Sequence, residues 1–228
     1  MSEGVFVVGM HRAGTSIATR LLGLLGLRLP VPEDLVPADA RNPAGYWESM
    51  SLVALSERAL RMVDSDARCP RRLAAGWERD PRLDELRREG RGAVRRAFGG
   101  VPWAWKDPRL CLAAAFWRSV IASERIPVVL LCRNPLEIAE SAARADRPDG
   151  KLYTLALWER YLREALVQIG GLPVLVTRYD DLMRDPVRWC AEAASFLGRN
   201  GLAVRPADAK PRHCSCRSHG TLALARAR

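Results

Sequence analysis

A chain of 228 residues has the length of one compact domain, with or without a small appendage, and 36 basic against 26 acidic side chains give it a formal net charge of +10. This charge indicates an anionic partner, but the arginines are spread along the whole chain without a basic segment interleaved with aromatics, so nucleic acid is not expected. The first residues lack a basic leader, and His11 and Arg12 interrupt the apolar run that follows, so neither a signal peptide nor a membrane span is predicted. The six cysteines are scattered rather than arranged as a disulfide framework, which favours a cytoplasmic protein.

The first predicted elements are a strand, a glycine-flanked loop and a helix. The apolar run 5–8 predicts a strand covered on both faces, and apolar residues at helical spacing from Ile17 to Leu25 predict a helix. The loop 9–16 between them keeps the outline Gly-x4-Gly-x-Ser/Thr of nucleotide-binding loops. Thr15 stands where an NTPase would carry lysine, and Arg12 is the strong cation of the turn. The segment is predicted to cradle an anionic group with backbone N–H groups and a helix dipole.

The remaining elements continue the alternation of strands and helices. Short apolar runs predict further strands at 103–105, 128–132 and 174–176. Apolar periodicity and cap-then-proline pairs predict helices at 52–62, from Asp107-Pro108, from Asn134-Pro135, at 155–169 and from Asp185-Pro186 to 198. The basic run 79–96 fits either a solvated helix face or a surface excursion.

This pattern predicts an α/β class fold: a single domain of three layers with a central parallel sheet and a P-loop-like strand-loop-helix. We expect the domain to span residues 1–202. Residues 203–228 contain few large apolar side chains and several arginines, which predicts a basic tail that is mobile or acts as a lid.

Ligands of open parallel sheets bind beyond the carboxyl ends of the strands, so the residues that follow each strand are candidates for a site. Lys106 and Asp107 follow the second strand, and Arg133 follows the third, where an NTPase often places an Asp that organises magnesium. Ser141 lies about two helical turns beyond Arg133, so that its hydroxyl and the Arg133 guanidinium are expected to share one phosphate.

Three segments of the sequence together resemble those of a known family. The loop 11–16, the element Arg133-Asn134-Pro135 with Ser141, and the segment 179–182 are similar to those of sulfotransferases that use 3′-phosphoadenosine 5′-phosphosulfate (PAPS). The resemblance runs from about residue 4 to residue 198, and segments similar to 45–48 and 105–109 are common in its bacterial branch.

The resemblance implies a set of donor-binding residues. Arg133 with Ser141 would bind the 3′-phosphate, Tyr179 would lie near the adenine, and the 5′-phosphosulfate would be bound by Arg12, Ala13, Gly14, Thr15 and Ser16. The implied product is adenosine 3′,5′-bisphosphate (PAP), and no metal is required. The tail motif His213-Cys214-Ser215-Cys216 lacks zinc-site spacing, so no metal centre is expected there either.

The chain departs from the family pattern in two places. The Arg-Lys-Gly segment with which some members close over the 3′-phosphate is missing, and its substitutes would be Arg205, Lys210 and Arg212. Those members also use a histidine base where this chain has Lys106-Asp107. Carbohydrate-acting relatives use a glutamate, which makes Glu48 the expected base. Asp107 is the reserve candidate, and its alternative role is that of an N-cap ahead of Pro108.

The implied reaction is in-line transfer of a sulfuryl group to an acceptor hydroxyl on a sugar, lipid or secondary metabolite. Glu48 would take the proton, while Arg12 and Lys106 would donate hydrogen bonds where negative charge develops. Two other functions share the same loop: an ATP- and magnesium-dependent kinase of small molecules or nucleotides, and a noncatalytic module that binds an anion or nucleic acid. The sequence does not indicate an oligomeric state.

Overall fold

The computed structural model describes residues 3–123, 125–144 and 150–204. Within these ranges four strands form one sheet: β1 (Gly4–Val8), β2 (Trp103–Lys106), β3 (Val128–Cys132) and β4 (Val174–Arg178). The strands run parallel in the order β2-β1-β3-β4. The predicted fold class is therefore confirmed.

Eight α-helices connect and flank these strands in the described part of the chain. They are α1 (Thr15–Leu24), α2 (Met50–Met62), α3 (Asp84–Phe98), α4 (Leu110–Ile121), α5 (Pro135–Arg144), α6 (Gly150–Gln168), α7 (Tyr179–Arg184) and α8 (Pro186–Arg199). None of them combines the length and the apolar character that a membrane crossing requires. The predicted tail, with Arg205, Lys210, Arg212 and the cysteine-containing motif at 213–216, falls outside the described residues beyond position 204.

The core is centred on β1, whose five residues are all buried. Burial on both faces is what an uninterrupted apolar run predicts for a central parallel strand. Beside it lies an aromatic cluster in which Trp105 packs edge-on against Trp117 at 4.6 Å between ring centroids, and Phe98 stacks on Trp103 at 5.2 Å. This cluster makes β2 a rigid support for the residues that follow it.

The basic run 79–96 forms most of the helix α3 rather than a surface excursion. One side of this helix is buried, at Leu86, Gly90, Ala93, Val94, Ala97 and Phe98. Positions three and four apart lie on one face of a helix, so Arg88, Arg95 and Arg96 are directed toward solvent. Arg87 is an exception, since its side chain is 14% exposed and donates to the carbonyl oxygens of residues 78 and 80.

The helix that follows β2 begins later than the pair Asp107-Pro108 predicts. The first helical residue is Leu110, and residues 108–109 form a turn ahead of it. Oδ1 of Asp107 accepts a hydrogen bond from the N–H of Arg109 at 2.9 Å, so the Asp107 side chain closes an Asx turn ahead of the first helical residue.

The parallel register brings the carboxyl ends of all four strands to one edge. Val7 lies beside Lys106 across β1 and β2, and Cys132 lies beside Arg178 across β3 and β4. Four segments consequently meet at this edge: the loop 9–16, called the phosphate loop after its predicted ligand, the turn after Lys106, the segment from Arg133 and the start of α7.

Candidate functional site

A cleft of about 450 Å³ opens at the carboxyl edge of the sheet. Its lining includes nine of the residues that the sequence predicts for the site: Arg12, Gly14, Thr15, Ser16, Glu48, Lys106, Arg133, Ser141 and Tyr179. Two predicted residues, Ala13 and Asp107, lie behind this surface. The N–H of Ala13 donates to the carbonyl oxygen of Met10 at 3.2 Å, and its side chain is buried.

The phosphate loop requires glycine at position 14, because the backbone there is left-handed and the neighbouring Tyr179 ring leaves no room for a side chain. Gly14 has φ +95°, and a Cβ at this position would lie 2.4 Å from Cδ2 of Tyr179. The helix α1 begins at the next residue, Thr15, so its first N–H groups face the cleft from the positive end of the helix dipole. Arg12 also has a positive φ of 67°, uncommon for a residue with a side chain and typical of strained functional loops.

Arg12, not Arg133, contacts Ser141. Nε of Arg12 donates to Oγ of Ser141 at 2.9 Å. Nη1 of Arg133 donates to the carbonyl oxygen of Arg12 at 3.0 Å, and its Nε donates to Oε2 of Glu137 at 3.0 Å. The Arg133 guanidinium also lies 4.1 Å from the centre of the Tyr179 ring. Both guanidinium groups thus line one cleft, with the Ser141 hydroxyl on the Arg12 side.

Glu48 and Lys106, which also line the cleft, form a buried ion pair. Nζ of Lys106 donates to Oε1 of Glu48 at 2.5 Å, although 58 positions separate the two residues. Glu48 lies just before Ser49, the N-cap of α2, and therefore outside the first helical turn. Its carbonyl oxygen accepts a hydrogen bond from the N–H of Val36 at 2.8 Å, which fixes the backbone.

The environment of Glu48 raises the pKa of its carboxyl above the ordinary value. Burial is the main cause, since it disfavours the charged form, and the nearby Asp107 carboxylate acts in the same direction. The cations Lys106 and Arg109 lower the pKa and oppose this effect only in part. A carboxylate with a raised pKa is suited to act as a general base.

Asp107 is completely buried, and its carboxylate accepts hydrogen bonds from Arg109. Its Oδ1 accepts from Nη1 of Arg109 at 3.0 Å, whereas Oδ2 has no hydrogen-bond partner among the described residues. Because Asp107 does not line the cleft, it is less accessible than Glu48 to an acceptor.

The loop 39–46 contributes Arg41, Asn42 and Tyr46 to the lining of the cleft. The hydroxyl of Tyr46 donates to Oδ1 of Asp39 at 2.7 Å, which lowers the pKa of the Asp39 carboxyl. The loop is tied to the phosphate loop, since Nη1 of Arg12 donates to the carbonyl oxygen of Arg41 at 3.2 Å and Oγ of Ser16 donates to that of Tyr46 at 3.3 Å.

Three polar or charged lining residues lie outside the segments on which the predicted site was based: Arg41, Asn42 and Arg144. Arg144 could have been found, because it lies three positions after Ser141 and so on the same face of α5. Arg41 and Asn42 carry no comparable signal, since only the contacts of their loop direct them to the cleft.

The cleft carries an excess of positive charge. Among the described residues that line it, Glu48 is the one carboxylate, whereas the cations are Arg12, Arg41, Lys106, Arg133 and Arg144. Such an arrangement, together with loop N–H groups and a helix N-terminus, suits a ligand with more than one anionic group. In residues 3–123, 125–144 and 150–204, no cluster of three or more His, Cys, Asp or Glu side chains could hold a metal ion.

Among the solved structures that resemble the chain are three sulfotransferases or sulfotransferase domains. Sulfotransferase STF9 from Mycobacterium avium is 13% identical with a TM-score of 0.50, over 86% of this chain and 64% of that one. The sulfotransferase from Alicyclobacillus acidocaldarius is 16% identical with a TM-score of 0.47, over 93% and 87% of the two chains. The sulfotransferase domain of the Synechococcus PCC 7002 olefin synthase is 20% identical with a TM-score of 0.48, over 86% and 74%.

No family model matches the sequence, and no curated protein does. At identities this low, a likeness in structure bears on the fold and not on the reaction. The four-stranded parallel sheet, its order and its flanking helices give the chain the fold of the sulfotransferases.

Proposed function

We propose that the protein is a sulfotransferase that moves a sulfuryl group from PAPS to the hydroxyl of an acceptor. One observation carries the proposal: a phosphate loop that lacks the NTPase lysine shares a cleft with two arginines and with the Glu48–Lys106 pair. The loop and the arginines suit a donor with two anionic ends, and the pair supplies a base beside a cation.

The residues of the cleft fit an adenosine that carries phosphate on both sides of its ribose. The N–H groups at the start of α1 and the Arg12 guanidinium would hold the 5′-phosphosulfate. Arg133 and Ser141 would hold the 3′-phosphate, and both of them contact Arg12. The ring of Tyr179 already stacks beneath the Arg133 guanidinium and would lie near the adenine.

The chemistry assigns separate tasks to the two members of the buried pair. When bound, the donor supplies an activated sulfuryl group whose bond to the phosphate oxygen breaks as the acceptor oxygen attacks in line. Glu48 accepts the proton of the acceptor hydroxyl. Lys106 and Arg12 donate hydrogen bonds where charge grows on the departing phosphate oxygen, each contributing on the order of 3 kcal/mol.

The acceptor is a compound with a hydroxyl group, of the sugar, lipid or secondary-metabolite class. Its hydroxyl must come within hydrogen-bonding distance of Glu48, directly or through one water. Tyr46 and Pro108 line the cleft together with Glu48 and would contact the acceptor there.

Thermal unfolding in the presence of three ligands tests the proposal. PAP should raise the stability by about 2.7 kcal/mol at a hundredfold excess over its dissociation constant. ATP with magnesium and a short DNA duplex should each have a much smaller effect. Stabilisation by ATP with magnesium but not by PAP would favour the kinase, and stabilisation by the duplex that disappears with salt would favour a nucleic-acid-binding module.

A further inference from the structure

Arg109 is held in place by carboxylates from two different parts of the chain. Its Nε and Nη2 donate to Oε1 of Glu57 on α2, at 3.1 and 2.7 Å. Its Nη1 and its backbone N–H donate to Oδ1 of Asp107, at 3.0 and 2.9 Å. The guanidinium is therefore fixed along two edges by charge-assisted hydrogen bonds, which are the strong kind.

The fixed guanidinium lies beside the carboxylate of Glu48. Nη1 of Arg109 is 4.0 Å from Oε2 of Glu48, whereas Lys106 binds the other oxygen, Oε1, at 2.5 Å. Each oxygen of Glu48 thus has its own cation. Arg109 is not among the described residues that line the cleft, so it supports Glu48 from behind.

The two cations differ in how firmly they are held. In the described part of the chain, the Nζ of Lys106 has one hydrogen-bond partner, Oε1 of Glu48, and it lines the cleft. A lysine side chain has rotatable donors on a flexible stem, so Nζ can exchange this partner for an anion in the cleft. Arg109 cannot turn toward such an anion, because it would have to break its hydrogen bonds to both Glu57 and Asp107.

We propose that Arg109 is a positioning residue that keeps the Glu48 carboxylate ionised and oriented once Lys106 has turned from Glu48 to the bound donor. The inference rests on the proposed function, because it concerns the base of that same reaction. Without a second cation, a buried Glu48 that loses Lys106 would take up a proton and could no longer accept one from the acceptor.

The other charges around Glu48 make this support necessary. Burial and the Asp107 carboxylate both favour the protonated form of Glu48. From the phosphate loop, Arg12 lines the same cleft but directs its Nε to Ser141. Glu57 neutralises part of the Arg109 charge, and it contacts Arg109 on the edge away from Glu48.

The first test uses the unaltered protein with PAP bound. NMR follows the side-chain carboxyl of Glu48 in ¹³C-glutamate protein and the side chain of Arg109 in ¹⁵N-arginine protein across a pH titration. The two signals are expected to move with one midpoint. Arg58, which pairs with Glu89 at 2.8 Å, is the internal control and should not respond at that midpoint. A constant Arg109 signal while Glu48 titrates would overturn the inference.

The second test compares the Glu48 midpoint in PAP complexes of three variants. Arg109→Met should raise the midpoint by about 1 pH unit, the usual minimum for loss of an opposite charge within 4–6 Å. Arg109→Lys retains a charge and should recover most of that shift, which a purely structural role would not do. Arg58→Met removes a guanidinium paired with a glutamate elsewhere and should leave the midpoint unchanged.

The outcomes separate this inference from the function on which it rests. Failure of PAP to bind the unaltered protein would contradict the proposed function. Binding of PAP with equal Glu48 midpoints in Arg109→Met and the unaltered protein would contradict the role of Arg109 alone. If Arg109→Met does not fold, the titration of Glu48 and Arg109 in the unaltered protein still tests the role of Arg109.

Discussion

Nζ of Lys106 lies 2.5 Å from Oε1 of Glu48, and the two side chains are only 2% and 11% exposed. In the proposed reaction these are the groups that assist the leaving oxygen and the acceptor hydroxyl. Without ligand they neutralise each other. An anion that bound Lys106 would also release one oxygen of Glu48, so in the proposed reaction donor binding would prepare the base.

The first prediction concerns Glu48→Gln. Transfer of a radiolabelled sulfuryl group to an acceptor found by screening should fall by about 10²- to 10⁴-fold, because the amide cannot take a proton. PAP should bind at least as tightly as before, since Lys106 no longer has a carboxylate partner, and calorimetry measures this. Glu89→Gln, which changes a glutamate that pairs with Arg58 and does not line the cleft, is the matched control and should keep most of the activity. Equal transfer by Glu48→Gln would remove Glu48 from the role of base.

The second prediction concerns the stability of the buried pair. Lys106→Met should lower the free energy of unfolding by about 3 kcal/mol, because it leaves Glu48 buried beside Asp107 without its closest cation. The double variant Lys106→Met Glu48→Gln should recover more than half of this loss. Urea unfolding of both single variants and the double variant gives the coupling energy. Additive losses would show that the pair is not coupled.

The third prediction concerns pH. Because burial raises the pKa of Glu48, kcat/KM should fall on the acid side with a midpoint above the ordinary value for glutamate of about 4.3. The effect on stability has the opposite sign. A raised pKa means that the folded state binds more protons than the unfolded state. The free energy of unfolding should therefore increase as the pH falls through the folded-state pKa of Glu48 toward its unfolded-state pKa. An acid midpoint at or below about 4.3 would contradict the raised pKa.

The fourth prediction concerns Gly14→Ala. The backbone has φ +95° there, and the added methyl would lie 2.4 Å from the Tyr179 ring. Gly76→Ala is a matched control, because it has φ +79° with no atom within 4 Å of the new methyl. The control should lose about 1–2 kcal/mol of stability from backbone strain. Gly14→Ala should lose more stability than the control. It should also weaken PAP binding at least about tenfold, or about 1.4 kcal/mol in binding free energy, because Gly14 and Tyr179 both line the cleft.

The difference between these two glycine variants isolates the contact with Tyr179. Adding Tyr179→Ala to Gly14→Ala should therefore recover the part of the stability loss that Gly76→Ala does not show. Equal losses in the two single variants would indicate that the ring moves aside without cost.

The fifth prediction concerns the arginines of the cleft. Arg12→Met and Arg133→Met should each weaken PAP binding by roughly tenfold to a hundredfold, the range for a lost hydrogen bond to a charged group. Arg178→Met is the control, because its side chain is 72% exposed, and it should change the affinity by less than about twofold. Affinity of Arg12→Met equal to that of Arg178→Met would exclude Arg12 from the donor site.

Much of the sheet and of its edge could be predicted from local pattern. Uninterrupted apolar runs mark β1 and β3, and Asn134-Pro135 marks the start of α5, where the N–H of Leu136 binds Oδ1 of Asn134 at 3.0 Å. The start of α4 could not be predicted in this way. Asp107 accepts from the N–H two residues on, at 2.9 Å, as Asn134 does, but its carboxylate also binds the Arg109 guanidinium, and the helix begins only at Leu110.

The sequence by itself determined which residues follow the strands, because apolar periodicity and turn residues act over a few positions, and parallel strands necessarily end at one edge. Only the tertiary structure decided which of these side chains meet. Ser141 bonds Arg12 across 129 positions, and Glu48 bonds Lys106 across 58. Such pairings depend on side-chain directions at places where separate elements approach each other, and no local pattern encodes those directions.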